Sequence, residues 1–202
     1  MSELKTIDMR ESSGAAALET LLKVLRSGGL MSAGGIGNTD VPQVVADILA
    51  QVKSGGDETA AKLTSQFDRA DITPANLRVP EELIAKAHAE AEPEFLALMR
   101  RAIENIREYQ QHILVTAPPP LERGGRKLGV RYTPIERAAV YVPGGQALYP
   151  STVLMTVVPA QVAGVQEVVM VSPPTGGEIN SMALALAGEL GIREVYRLGG
   201  AV

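Results

Sequence analysis

Apolar residues recur every three or four positions through the first part of the chain, which is the spacing of one buried face of an α-helix. This spacing predicts helices over residues 14–26, 41–53, 57–67 and 93–113, and a further helix that begins after Pro80. The prolines at 118–120 cannot continue the last helix, because proline lacks the backbone donor. Residues up to about 117 are therefore expected to be mainly helical.

The pattern changes after these prolines to short apolar runs that alternate with helical segments. Strands are predicted over residues 127–132, 137–142, 167–172 and 194–198, and helices over residues 151–164 and 178–190. The runs Val-Tyr-Val and Val-Val-Met-Val are typical of strands that are buried on both faces of a parallel sheet. The last three strands and the two helices follow the order β-α-β-α-β, which is half of a doubly wound, Rossmann-like sheet. The predicted fold class is α/β, with a helical N-terminal region before this unit.

Three regions are expected from this organisation. Residues 1–36 form an N-terminal arm and a glycine-rich linker, residues 37–125 are mainly helical, and residues 126–202 form the Rossmann-like domain. A phosphate-cradling loop is the alternative for the glycine-rich stretch 27–40. No strand precedes that stretch and no Gly-Lys-Ser/Thr ends it, so a linker is favoured.

Composition and charge argue against several classes of protein. The net charge of −4 and the lack of a long basic run argue against a nucleic-acid partner. The chain has no cysteine, which removes disulfides, thiolate catalysis and cysteine-based zinc sites within these residues. The first residues lack the apolar core of a signal peptide, and the longest apolar stretch is too short to cross a membrane. A cytoplasmic protein with no membrane partner is expected.

Few side chains are available for acid–base or metal chemistry. His88 and His112 are the two histidines, and neither has a partner at the i, i+4 spacing of a metal site. Both are interpreted as structural or solvated. No metal ligand and no catalytic residue is therefore predicted within the chain.

The turn Pro143-Gly144-Gly145 follows a predicted strand and precedes a helix. Glycine lets the backbone approach a ligand closely, and open α/β sheets bind ligands at the carboxyl ends of their strands. The turn can equally serve only to reverse the chain. Ser151 can cap the following helix or help its N-terminus to bind an anion. Tyr141, at the strand end, can stack on a ring or pack, and spacing alone leaves these alternatives open.

The sequence around this turn resembles the histidinol dehydrogenase family. The matching block reads VYVPGGQALYPSTVLMTVVPAQVAGV. The family's signature combines Tyr-Val/Ile-Pro-Gly-Gly, Tyr-Pro-Ser-Ser/Thr-Val-Leu-Met and Pro-Ala-x-Val-Ala-Gly. The run VVMVSPP and the residues Gly199-Gly200-Ala201 match the same family in order, and VADILAQVKSGGDETAAKLTSQFD is similar to its opening helices. The resemblance covers most of residues 38–201.

The resemblance implies a homodimeric enzyme that uses NAD and zinc to oxidise L-histidinol to L-histidine, the last step of histidine biosynthesis. It implies two incomplete Rossmann-like domains, of which residues 37–125 and 126–202 would be parts. Tyr141 corresponds to a tyrosine that contacts NAD, and Pro143, Gly144 and Gly145 form the turn beside it. The family's zinc ligands and catalytic residues lie beyond the position of Val202. The chain is therefore expected to be an N-terminal portion that is inactive alone.

Two other functions stay open at this point. The same fold can oxidise another small polar alcohol, because the family's substrate-binding residues lie beyond Val202. A chain of this length can also act as a non-catalytic module that binds a nucleotide or dimerises.

Overall fold

The computed structural model describes residues 7–26, 40–144 and 149–200, with residues 24–26 described in backbone only. These residues fall into two compact units, one that ends at Asp47 and one that begins at Ile48. Almost all of the predicted glycine-rich linker lies outside the described residues. The division of the chain at residues 36 and 125 stays a prediction.

The helices of the N-terminal region lie where the apolar spacing predicts them. Helix α1 spans Gly14–Arg26, α2 spans Val41–Asp68, α3 spans Glu81–Glu90 and α4 spans Pro93–His112. Gly56, with φ 56° and ψ −146°, interrupts α2 at the point where the sequence predicts one helix to end and another to begin. Glycine adopts this left-handed φ readily because it has no Cβ.

A small hairpin follows the prolines. Strand β1, Leu121–Arg123, pairs antiparallel with β2, Arg126–Leu128, and every residue of both strands is exposed. Gly124 and Gly125 have φ of 56° and 73°, the positive values that a tight two-residue turn requires. The predicted strand over residues 127–132 is therefore too long, because within the described residues β2 pairs only with the three residues of β1.

Three parallel strands form the main sheet. Strand β3 spans Arg137–Tyr141, helix α5 spans Pro150–Val162, strand β4 spans Glu167–Ser172, helix α6 spans Ser181–Glu189 and strand β5 spans Val195–Arg197. The strand order is β3-β4-β5, so β4 is central. The predicted β-α-β-α-β order is confirmed. The parallel pairing brings the carboxyl ends of all three strands to the same end of the sheet, which is called the carboxyl edge below.

The core of the second unit is aliphatic. Helix α3 packs against α6, and α4 packs against α5. Val157 of α5, Leu186 of α6 and Met170 of the central strand are completely buried. The same cluster contains Val79, Ile84, Ile103, Val140, Val142, Val153, Leu154, Val158, Leu184, Ile192 and Val195. Among the described helices, none has both the length and the apolar composition needed to cross a membrane.

Strand β3 is less buried than its apolar sequence predicts. Ala139 is exposed and Tyr141 is 47% exposed, whereas Val140 between them is buried. The prediction that this strand is buried on both faces is wrong, because the face that carries Ala139 and Tyr141 is left uncovered by the other described residues. The alternation leaves the Tyr141 side chain on an exposed face.

A mostly buried carboxylate joins three helices. Glu189, the last residue of α6, accepts two hydrogen bonds from Arg100 of α4, at 2.8 and 2.7 Å. His88 of α3 lies 2.8 Å from the same carboxylate, which gives this histidine a structural contact. The Arg100 guanidinium, with a smaller effect from His88, lowers the pKa of Glu189 from 4.5 to about 2, although burial opposes the shift.

Replacing Glu189 by glutamine is expected to lower the free energy of unfolding by about 1–3 kcal/mol at neutral pH. The change removes the charged acceptor of both hydrogen bonds from Arg100. Because the folded-state pKa is depressed, the carboxylate's contribution is fully present above about pH 4.5 and is lost as the pH falls toward 2. Urea denaturation of both proteins across this pH range measures the difference.

Glu104→Gln is the matched control for this prediction, since Glu104 also lies on α4 and is exposed. It is expected to change the free energy of unfolding by less than about 0.5 kcal/mol. A Glu189→Gln effect that stays constant between neutral and strongly acidic pH would contradict the lowered pKa.

Candidate functional site

The carboxyl ends of β3 and β4 and the first turns of α5 and α6 surround a small cavity. Its volume is about 20 Å³, room for one water molecule. Its walls come from residues after each strand and at the start of each helix: Val142, Pro143, Gly144, Tyr149, Pro150, Val153, Ser172, Asn180, Met182 and Ala183. A larger ligand would therefore lie against the described part of this edge rather than inside it.

Tyr141 presents its ring to the surface at the end of β3. The next residue, Val142, is 3% exposed and donates a backbone hydrogen bond to Val171 of β4 at 2.8 Å. The sheet ladder therefore continues past Tyr141 and fixes the backbone on both sides of it. An aromatic ring with a fixed backbone and a free face can stack on a planar ligand at little entropic cost.

The turn after β3 packs closely against the residue after β4. A Cβ added to Gly144 would lie 2.6 Å from the carbonyl oxygen of Pro173 and 2.8 Å from its Cγ, so the close approach requires glycine. Pro143 and Gly144 both line the cavity. Gly145 lies outside the described residues. Contact between a ligand and any of these three residues stays a prediction.

Two helices begin at this cavity. Pro150 occupies the first turn of α5, and its N-cap, Tyr149, makes no side-chain capping hydrogen bond. Of the two roles left open for Ser151, capping does not hold, because the helix has already begun at Pro150. Helix α6 is capped by Asn180, whose Oδ1 accepts a hydrogen bond from the backbone N–H of Met182 at 2.9 Å. Helix N-termini carry partial positive charge and backbone donors, so this edge suits an anionic group.

Arg197, at the end of β5, holds a neighbouring loop to the same edge. Its side chain is almost completely buried and donates to the carbonyl of Asn76 at 2.6 Å and to the Glu178 carboxylate at 3.0 Å. Its Nε–H has no partner among the described residues. Sequence reasoning missed this residue because an arginine in a short strand belongs to no motif. Asn180 could have been found, since asparagine directly before a helix is a capping signal.

The described residues do not fit a zinc site. Among residues 7–26, 40–144 and 149–200, no three His, Cys, Asp or Glu side chains are placed to hold a metal ion together. His88 of α3 lies 2.8 Å from Glu189, the last residue of α6. Its position gives no support to a metal at the carboxyl edge.

Comparisons of this chain with known proteins all indicate the same family. The family model described as "Histidinol dehydrogenase" matches residues 33–202. A histidinol dehydrogenase of Rhodopirellula baltica is 44% identical over 214 residues, which cover 98% of this chain and 46% of that protein. A histidinol dehydrogenase of Carboxydothermus hydrogenoformans is 44% identical over 162 residues, covering 80% of this chain and 38% of that protein.

A solved structure agrees with these sequence matches. The crystal structure of histidinol dehydrogenase from Elizabethkingia anophelis is similar with a TM-score of 0.73 and 30% identity, covering 82% of this chain and 38% of that one. The chain therefore spans less than half of the length of each of these three relatives.

Proposed function

The chain belongs to the histidinol dehydrogenase family, and from that premise we propose that it is part of an oxidoreductase of histidine biosynthesis. The proposed reaction is the NAD-dependent oxidation of L-histidinol to L-histidine. Within that enzyme the described residues supply the NAD side of the active site. The observation that carries this proposal is the carboxyl edge, where β3 ends in the exposed Tyr141 and the helices α5 and α6 begin around one cavity.

The residues at this edge fit the parts of a dinucleotide. The N-termini of α5 and α6 offer backbone donors and partial positive charge to the pyrophosphate. The ring of Tyr141, 47% exposed, can stack on a planar part of the cofactor. Pro143 and Gly144 follow β3, and glycine there lets the backbone lie close to the ligand. Gly145, outside the described residues, is proposed to contact the ligand with them.

NAD accepts the hydride in this reaction, and the described residues would bind and orient it. Zinc is proposed for the whole enzyme from the family, with ligands outside this chain. Because the described residues hold no set of side chains that fits zinc, no step through zinc is assigned to them.

A homodimer is proposed as the assembly, and the hairpin region supports it. Large apolar side chains stay exposed along this stretch: Ile113, Leu114, Val115, Leu121, Leu128, Val130, Tyr132 and Ile135. Many exposed apolar side chains in one stretch are typical of a region that another chain or segment covers. A cytoplasmic location is proposed as well, and the lack of cysteine supports it.

Two proteins test the proposed function together. The first is the 202-residue chain alone. The second joins this chain to the remaining part of the Rhodopirellula baltica relative. The joined protein is expected to produce NADH from histidinol, because the chain would supply the NAD side and the relative would supply the rest. The chain alone is expected to produce none.

NADH absorbance with and without histidinol measures both activities. A folded joined protein that binds NAD but is inactive with histidinol would count against the assignment. Histidinol-dependent NADH from the 202-residue chain alone would show that its own residues complete the active site.

A further inference from the structure

Asp68 lies on the same edge of the sheet as the turn after β3. A Cβ added to Gly199, just after β5, would lie 2.8 Å from the Asp68 carboxylate and 2.7 Å from Cβ of Pro173. Pro173 in turn touches Gly144 on its other side, as described above. The residues Gly144, Pro173, Gly199 and Asp68 therefore form a continuous line across the carboxyl ends of the three strands.

The Asp68 carboxylate has no protein partner at this position. It is partly buried, and no Lys, Arg or His group lies within 4 Å of it and no donor bonds to it among the described residues. Burial raises its pKa. It also ends helix α2, where the partial negative charge of the helix terminus disfavours a carboxylate. These surroundings favour a ligand that donates hydrogen bonds to the carboxylate.

The backbone directly after Asp68 has an unusual conformation. Arg69, directly after it, has φ of 53°, the left-handed region that favours glycine or asparagine. This turn ends α2 abruptly and leaves Asp68 as the residue that faces the sheet edge. Gly199 has no side chain, so the Asp68 carboxylate lies directly against the backbone just after β5.

The strand order indicates which part of a dinucleotide reaches Asp68. In doubly wound sheets the pyrophosphate lies at the turn after the first strand, and the adenosine half extends toward the strands that follow it in the sheet. Here the first strand is β3, and Asp68 lies beyond β4, beside β5. Two strand spacings are roughly 10 Å. This distance is within the reach of the adenosine half of a dinucleotide, measured from its pyrophosphate.

We propose that the Asp68 carboxylate accepts hydrogen bonds from the 2′- and 3′-hydroxyls of the adenosine ribose of NAD. The proposal rests on the proposed NAD side of this chain. A carboxylate has two oxygens that match a pair of neighbouring hydroxyls, and it repels a 2′-phosphate. Asp68 would therefore both strengthen NAD binding and select NAD over NADP.

Calorimetric titration of the 202-residue chain with NAD and with NADP tests the proposal. The wild type is expected to bind NAD at least about tenfold more tightly than NADP. Asp68→Asn is expected to weaken NAD binding by about tenfold, because it removes the charged acceptor. The difference in affinity between NAD and NADP is expected to become smaller. Asp71→Asn is the matched control, since Asp71 is an exposed carboxylate three residues away.

The outcomes separate this proposal from the proposed function. If the wild type binds NAD and Asp68→Asn binds it equally well, the role of Asp68 is overturned and the NAD side stands. An equal loss in Asp68→Asn and Asp71→Asn also overturns it, because the effect would then be general electrostatics. If the wild type binds no NAD, the proposed NAD side is overturned and the role of Asp68 with it.

A titration of the wild type with 2′-deoxy-NAD keeps the proposal testable should the Asp68 variant not fold. About tenfold weaker binding of the deoxy compound than of NAD supports the hydroxyl contact. Equal binding of the two overturns it.

Discussion

Replacing Gly144 by alanine is expected to weaken NAD binding by about tenfold or more. The added methyl group would lie 2.6 Å from the carbonyl oxygen of Pro173, which is backbone and cannot rotate away. The turn after β3 must therefore move, and it carries Pro143 and adjoins Tyr141. Overpacking of this kind costs about 1–3 kcal/mol. Each 1.4 kcal/mol by which it destabilises the NAD-bound conformation lowers the affinity for NAD about tenfold.

Gly129→Ala is the matched control for Gly144→Ala. A Cβ at Gly129 would meet Cβ of Pro120 at 3.4 Å, an ordinary contact, and Gly129 lies away from the carboxyl edge. Calorimetric titration with NAD compares the two variants with the wild type, and circular dichroism checks that each is folded. Equal NAD affinity in all three proteins would show that the turn after β3 takes no part in binding.

Replacing Leu186 by alanine is expected to lower the free energy of unfolding by about 2–5 kcal/mol. Leu186 is completely buried in α6, inside the cluster that joins the sheet to its helices. Truncation removes apolar contacts and leaves a cavity that the neighbouring side chains fill only in part. A domain is typically stable by about 5–15 kcal/mol, so this loss would be a large fraction of the total.

Leu98→Ala provides the comparison, because Leu98 is also a helical leucine but is 51% exposed. Its replacement is expected to change the free energy of unfolding by less than about 1 kcal/mol, since little apolar surface returns to water and alanine is the better helix former. Urea denaturation of both variants measures the two changes. Similar losses at both positions would contradict the described core.

Periodicity predicted the fold well where burial decides the structure. Helices α2 and α4 and the β-α-β-α-β order follow from the apolar spacing, because each element must bury one face or stripe. Strand β3 shows the limit of this reasoning. After Arg137 its sequence is apolar, yet Ala139 and Tyr141 are exposed, since local sequence does not decide what covers each face of the sheet.

The candidate site could be predicted only in part. The glycine turn and Tyr141 stand out in the sequence because they interrupt an apolar run and match a family signature. Asp68 does not stand out, since 130 residues separate it from Gly199, and only the fold brings the two together. The sequence left open whether Ser151 caps α5, and the helix begins one residue earlier, at Pro150.

Backbone amide NMR of the 202-residue chain during titration with NAD is the most direct test of the proposed NAD side. Saturable shifts are expected at the carboxyl edge, in the amides of Tyr141, Val142, Gly144, Ser172 and Asn180. Amides at the opposite ends of the strands, such as Arg137 and Glu167, are expected to stay unchanged. Shifts confined to that opposite end, or no saturable shift at all, would contradict the assignment of this edge to NAD.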